Sequence, residues 1–131
     1  MVEPYSIQIE ELRLWGYDVT APWPSQDFDL MVAEVCFSEI IIQLAIDDNC
    51  PKKDFFLSCA YIIIGDAVMT EYSSRSKEAI DEFLVSIKKE NHEKLDLLYQ
   101  RAIALMQDPT IFDYDLWCSE GYIKLDSTQF G

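Results

Sequence analysis

The sequence predicts an all-α fold: a compact bundle of five to six mostly antiparallel helices around a central apolar helical hairpin at about residues 26–72. Three observations carry this. Residues 28–46 (FDLMVAEVCFSEIIIQLAI) and 54–72 (DFFLSCAYIIIGDAVMTEY) are apolar over most of a helical circumference, as helices buried on several sides must be. The later segments are apolar on one face only, which suits helices laid over that hairpin. The connections are short, which favours antiparallel neighbours. At 131 residues the chain suits a single domain, 1–131, large enough to bury a substantial core.

Taken in order, residues 5–16 read two ways. Ile7 and Ile9 alternate as in a strand, whereas Ile9, Leu12 and Trp15 fall at helical spacing with Gly16 as a stop. A short helix is the adopted reading, with a minor short β element at the termini left open. Residues 17–25 form a loop in which two prolines flank Trp23. Ser25 or Asp27 then caps a helix running to Ile46, with Asp27 and Asp29 in its first turn. Val32, Val35 and Ile42 share one face of it, and Glu39 falls among them; the preferred reading is that it escapes to water at a helix crossing or pairs with a lysine, the alternative a buried functional acid with a raised pKa. Residues 47–53 turn the chain into the third helix. There Asp66 lies on the side of Phe55, Cys59 and Ile62, and Ser58 and Gly65 permit close approach of another helix.

Ser74 or Ser76 caps a fourth helix whose buried face is Ile80, Phe83, Leu84 and Ile87. A fifth starts near Asn91, with Glu90 and Lys94 paired if the helix is continuous there. It carries Leu95, Leu98, Ala102 and Leu105, and Asp108-Pro109 ends it. Thr110 and Asp113 are spaced like a capping box for a last short helix that Gly121 stops, and residues 122–125 suit a short extended segment.

Several classes of chemistry lack their residues. The one histidine, His92, lies in a charged stretch and leaves no His pair or triad, and the four glycines are not clustered as a phosphate loop requires. Asp27/Asp29 and Asp113/Asp115 lack the glycine and distal glutamate of a calcium loop, and no Glu-x-x-His of a di-iron bundle occurs. No cofactor or metal is therefore expected. The four cysteines (Cys36, Cys50, Cys59 and Cys118) have no CxxC spacing, and Cys36 and Cys59 are expected as small buried hydrophobes in the two central helices. With no secretory leader or apolar run of spanning length, a cytoplasmic chain is expected.

Charge is the remaining signal. The net charge of −14 disfavours nucleic acid and anionic membrane surfaces and suits a basic partner. It is uneven: residues 1–51 hold ten acids against one base, residues 52–101 nine against eight, and residues 102–131 five against one. Both acidic ends interleave carboxylates with large aromatics, the residues that anchor interfaces while surrounding charge steers the partner. The candidate partner-binding residues are Asp18, Trp23, Asp27 and Asp29 at one end and Asp113, Tyr114, Asp115, Trp117 and Glu120 at the other. Asp18, Asp27, Asp29, Asp113, Asp115 and Glu120 would imitate phosphates; Trp23, Tyr114 and Trp117 would anchor. The expected function is non-catalytic: neutralising a basic protein partner, as an immunity protein blocks the active-site cleft of a cognate bacterial toxin such as a nuclease, acting as a monomer or weak dimer. The alternatives are a secretion chaperone or helical adaptor, a DNA-mimic regulator, and a small helical enzyme with an internal carboxylate, Glu39 or Asp66.

Overall fold

The computed structural model describes residues 8–21, 32–119 and 121–124. In chain order these form α1 (Ile9–Tyr17), α2 (Ser38–Ala45), α3 (Lys53–Met69), α4 (Lys77–Lys89), α5 (Glu93–Gln107) and α6 (Tyr114–Trp117), with 3-10 turns at Val35–Phe37 and Pro109–Ile111. Residues 121–124 make one more helical turn. The all-α class expected from the periodicity is what is found. Among the described residues there is no strand, so neither the strand reading of Ile9 nor an extended segment at 122–124 survives. None of these helices is long and apolar enough to cross a membrane.

The axis of the fold is α3. Its flanks from Phe55 to Val68 are buried on every side, including Ser58, with Asp66 the one side chain that reaches water. A helix can be apolar all round only if neighbours cover every face, and α2, α4, α5 and α6 all pack on it. The turn at 47–52 folds α2 back along α3, and the break at 90–92 folds α5 back on α4. One continuous apolar cluster results, running from Leu12 of α1 to Ile123. Each large side chain fully buried in it contributes roughly 1.5–3 kcal/mol relative to exposure.

The second segment departs from its expected form. A helix from 28 through Ile46 is not continuous: Glu34 is extended, at φ −124° and ψ 145°, and the regular helix begins only at Ser38. The cause is a long-range contact. Arg75, whose side chain is 9 % exposed, donates from Nη2 to the Ala33 carbonyl at 2.5 Å and pairs with Glu34 and Asp66. The break resets the helical phase, so Glu39 points to solvent while Ile40, Ile41 and Ile42 are buried. It also leaves Cys36 exposed in the 3-10 turn rather than buried as expected, whereas Cys59 is fully buried in α3.

Other boundaries follow local chemistry. Ser76 caps α4 by accepting from the Ala79 amide at 3.1 Å. α4 ends at Lys89, and Asn91 just beyond its cap has a φ of 53° that suits asparagine, so α4 and α5 are separate and the expected Glu90–Lys94 pairing within one helix does not arise. His92 caps α5, its Nδ1 accepting from the Lys94 amide at 3.2 Å. At the end of α3 the Tyr72 amide reaches the Ala67 carbonyl at 2.7 Å and the Glu71 amide reaches Val68 at 3.1 Å. This is a Schellman motif with Glu71, φ 54°, in the place glycine usually fills.

Candidate functional site

The C-terminal acidic segment is built outward from a buried tryptophan. Trp117 is 4 % exposed, and its Nε1 donates to the Tyr61 carbonyl in mid-α3 at 2.7 Å. Its ring meets Tyr61 edge-on at 5.4 Å and Tyr122 edge-on at 5.8 Å, while Tyr61 and Tyr122 stack at 5.7 Å. Arg101 closes the group, donating to the Tyr61 hydroxyl at 2.8 Å and lying 4.0 Å over the Tyr122 ring. The indole enters where α3 has no side chain: a Cβ on Gly65 would sit 2.6 Å from Trp117 Nε1. The sequence suggested that Gly65 admits a neighbouring helix; it admits this indole.

That anchorage decides the roles of the other residues. Asp113 caps α6, accepting from the amides of Asp115 at 3.0 Å and Leu116 at 3.4 Å. The expected box with Thr110 is absent; Asp108 caps the preceding 3-10 turn through the Thr110 amide at 3.1 Å. Gly121 does not stop α6 but opens the turn at 121–124, packed against the Asp115 carbonyl. Asp113, Tyr114 and Asp115 all face solvent, and Tyr114 is 64 % exposed. Trp117, expected to anchor a partner, is inside the fold, which leaves Tyr114 as the aromatic free to make contact on this segment.

The N-terminal acidic segment is organised differently. Trp15 packs edge-on against Phe55 and Phe56 at 5.2 and 6.1 Å. The carbonyls at the end of α1 point at Lys52, whose ammonium is held by Trp15 O at 2.6 Å and Asp18 O at 2.5 Å and lies 4.2 Å over the Trp15 ring. A cation at a helix C-terminus is favoured by the helix dipole. Lys52 is 8 % exposed, and that burial pushes its pKa down from the usual lysine value. Around it lie three carboxylates, Asp18 and Asp48 exposed and Asp47 half-buried. Asp18 accepts from the Thr20 hydroxyl at 2.7 Å and amide at 2.9 Å, which holds its pKa below the ordinary carboxylate value. Asp47 accepts from the Tyr17 hydroxyl and the Asn49 amide, with the same direction of shift, chiefly from the tyrosine. The phenol is pushed up to about 12 in return. Asp48 faces Lys53 at 3.5 Å.

Asp47 and Asp48, which the structure places beside Asp18, were not among the candidates read from the sequence. The signal was the pair of adjacent acids in DDNC, which reads locally as nothing more than turn chemistry. Trp23, Asp27, Asp29 and Glu120 lie outside the described residues.

Among the described residues, Asp18 and the Asp113–Asp115 group are carried by different stretches of α3. Trp15 meets α3 at Phe56, and Trp117 meets it at Gly65, nine residues later. At about 1.5 Å per residue those positions are about 13 Å apart along the helix. Asp18 therefore belongs with Asp47 and Asp48, and Asp113 with Tyr114 and Asp115.

The internal carboxylates offered by the sequence are not internal. Glu39 is exposed, and Asp66 is half-exposed and paired with Arg75. Among the described residues no three His, Cys, Asp or Glu side chains converge as metal ligands. Compared with known protein families, characterised proteins and solved structures, the chain shows no significant match.

Proposed function

We propose that this chain is a non-catalytic acidic binding protein that neutralises a basic protein partner, in its specific form an immunity protein that blocks the active-site cleft of a cognate toxin such as a nuclease. The observation that carries the reading is Tyr114, 64 % exposed between the exposed carboxylates of Asp113 and Asp115. Its short helix is fixed to the core through Trp117, so little ordering is required on binding. A tyrosine flanked by carboxylates suits an anchor in a basic cleft: the ring fills a pocket while the charges steer and register. The second acidic cluster, Asp18, Asp47 and Asp48, adds to the long-range field from beside the start of α3.

The test uses the tagged chain in extract of its native host, washed at low and at high salt. The wild type should retain a basic protein that salt elutes, and adding the chain should inhibit that protein's activity. A Tyr114→Ala, Asp115→Lys variant should retain it poorly. Retention of no basic protein, or retention indifferent to both salt and the variant, overturns the reading.

A secretion chaperone or helical adaptor is the second reading, and one feature favours it. A shallow groove of about 620 Å³ runs between α4 and α5, floored by Leu84, Val85, Tyr99, Ile103 and Met106. Retention of apolar partners resistant to salt would move the assignment there.

A further inference from the structure

The exposed face of α4 carries a charge pattern that complements itself. Ile80, Phe83, Leu84 and Ile87 bury the inner side, and Val85, 67 % exposed, stands on the outer one. Four exposed charges surround it: Asp81 and Glu82 one turn before, Lys88 and Lys89 one turn after. At about 100° per residue, Asp81 and Lys88 lie some 40–60° to one side of Val85, and Glu82 and Lys89 the same amount to the other. A two-fold axis through Val85, lying between two antiparallel helices, keeps each side and reverses the direction along the helix. Asp81 then falls opposite Lys88 of the second copy and Glu82 opposite its Lys89, each matched in height to within about 1.5 Å. A parallel arrangement instead sets like charges against each other.

We propose that this face is an interface between two copies of the chain, with α4 packed antiparallel on α4 about Val85 and four intermolecular pairs, Asp81–Lys88 and Glu82–Lys89 each occurring twice. An isologous patch of this kind must be self-complementary, and this one is. The α4–α5 groove opens on the Asp81 and Lys88 side of Val85. Under the same axis the two grooves come together, and Tyr99, Ile103 and Met106 of both copies close on one another. This supplies the apolar area that two valines lack. Asp81 already pairs with Lys77 at 3.1 Å, so its new pairing extends an existing ion pair rather than rescuing a lone charge. The face is distant in sequence from the acidic segments, and the inference does not depend on the neutralising role. With a modest apolar contribution the dimer should be weak and concentration-dependent.

Sedimentation equilibrium over a wide concentration range tests it with two charge-reversed chains. One carries Asp81→Lys and Glu82→Lys, the other Lys88→Glu and Lys89→Glu; all four positions are exposed, and circular dichroism checks that both chains fold. The wild type should form dimers, each reversed chain alone should be monomeric, and an equimolar mixture of the two should dimerise again. Val85→Asp, which leaves every charge pair in place, should weaken the wild-type dimer. A wild type that stays monomeric throughout, or reversed chains that fail to associate when mixed, overturns the proposal.

Discussion

The indole of Trp117 rests against the bare backbone of Gly65, its Nε1 2.6 Å from where a Cβ would be, while donating to the carbonyl of Tyr61 one turn earlier. Helix propensity alone says that Gly65→Ala in mid-α3 should stabilise by about 1 kcal/mol. The geometry reverses the sign. The methyl would overlap a buried ring, an overpacking cost of about 1–3 kcal/mol, and displacing that ring breaks the Nε1 hydrogen bond. Gly65→Ala should therefore lower the urea midpoint and shift tryptophan emission to the red as the indole meets water. Unchanged or raised stability would show that the ring has room to move.

Lys52 supports a second prediction. Its ammonium satisfies two carbonyls at the end of α1 and covers the Trp15 ring. Lys52→Met keeps most of the side-chain volume and removes the charge and both bonds, so it should destabilise by about 1–3 kcal/mol. The loss should be local to α1, which packs on α2. Hydrogen exchange should then accelerate in α1 more than in α3. Uniform acceleration would place the lysine's role in global stability instead.

These two contacts mark what the sequence could and could not disclose. The α3 segment was legible because an apolar circumference has one physical explanation, enclosure by neighbours. The faces of α4 and α5 were legible for the same reason at half the circumference. The break before α2 was not, because it depends on Arg75 taking the Ala33 carbonyl from 42 residues away, and no local preference encodes that. Once the phase shifts there, Cys36 leaves the buried place expected for it, and Glu39 leaves the apolar face for water. At the candidate site, the carboxylates around Tyr114 were readable as residue types, since acids seldom leave the surface unpaired. Which aromatic faces outward was not readable: Tyr114 and Trp117 lie three residues apart, and only the cavity at Gly65 decides between them.

Glu71 sits at the C′ position of a Schellman motif with φ 54°. A β-carbon is disfavoured in that conformation, and the side chain is exposed. Glu71→Gly should raise stability by about 0.5–1 kcal/mol, the relief of strain exceeding the added freedom of the unfolded chain. Thermal and urea unfolding of the variant check this. A decrease would mean that the Glu71 side chain makes a favourable interaction greater than the strain.

The Tyr17–Asp47 bond sets a pH dependence with a definite sign. The Tyr17 phenol is pushed up from 10.0 to about 12, first by its hydrogen bond to Asp47, so between those values the folded chain holds a proton that the unfolded chain has lost. Its stabilisation is complete below about pH 10 and fades as pH rises towards 12. Asp47 is shifted down by the same bond, so its share is present above the ordinary carboxylate value and fades as acid protonates it. Lys52, shifted down by burial, acts oppositely at high pH: from its lowered value up to 10.5 the unfolded chain binds the extra proton, and stability rises with pH. Tyr17→Phe isolates the first effect. In ultraviolet titration the wild type should show one tyrosinate transition near 12 that the variant lacks, and loss of a transition near 10 instead would exclude the bond.

The last prediction separates capping from recognition at the proposed surface. Asp113 both carries charge and caps α6 through the amides of Asp115 and Leu116, so reversing its charge confounds the two. Asp113→Asn keeps an acceptor at the cap and removes the charge, and should leave the melting temperature nearly unchanged. Asp113→Lys removes the cap as well and should cost about 0.5–2 kcal/mol. Asp115→Lys, at an exposed first-turn position, should lower stability by less, about 0.3–1 kcal/mol through the helix dipole. If the surface recognises a basic partner, Asp113→Asn and Asp115→Lys should both slow association, and the slowing should shrink as salt screens the charge. If instead binding falls only with Asp113→Lys, in step with its stability, the carboxylate serves the fold of α6 and recognition lies elsewhere.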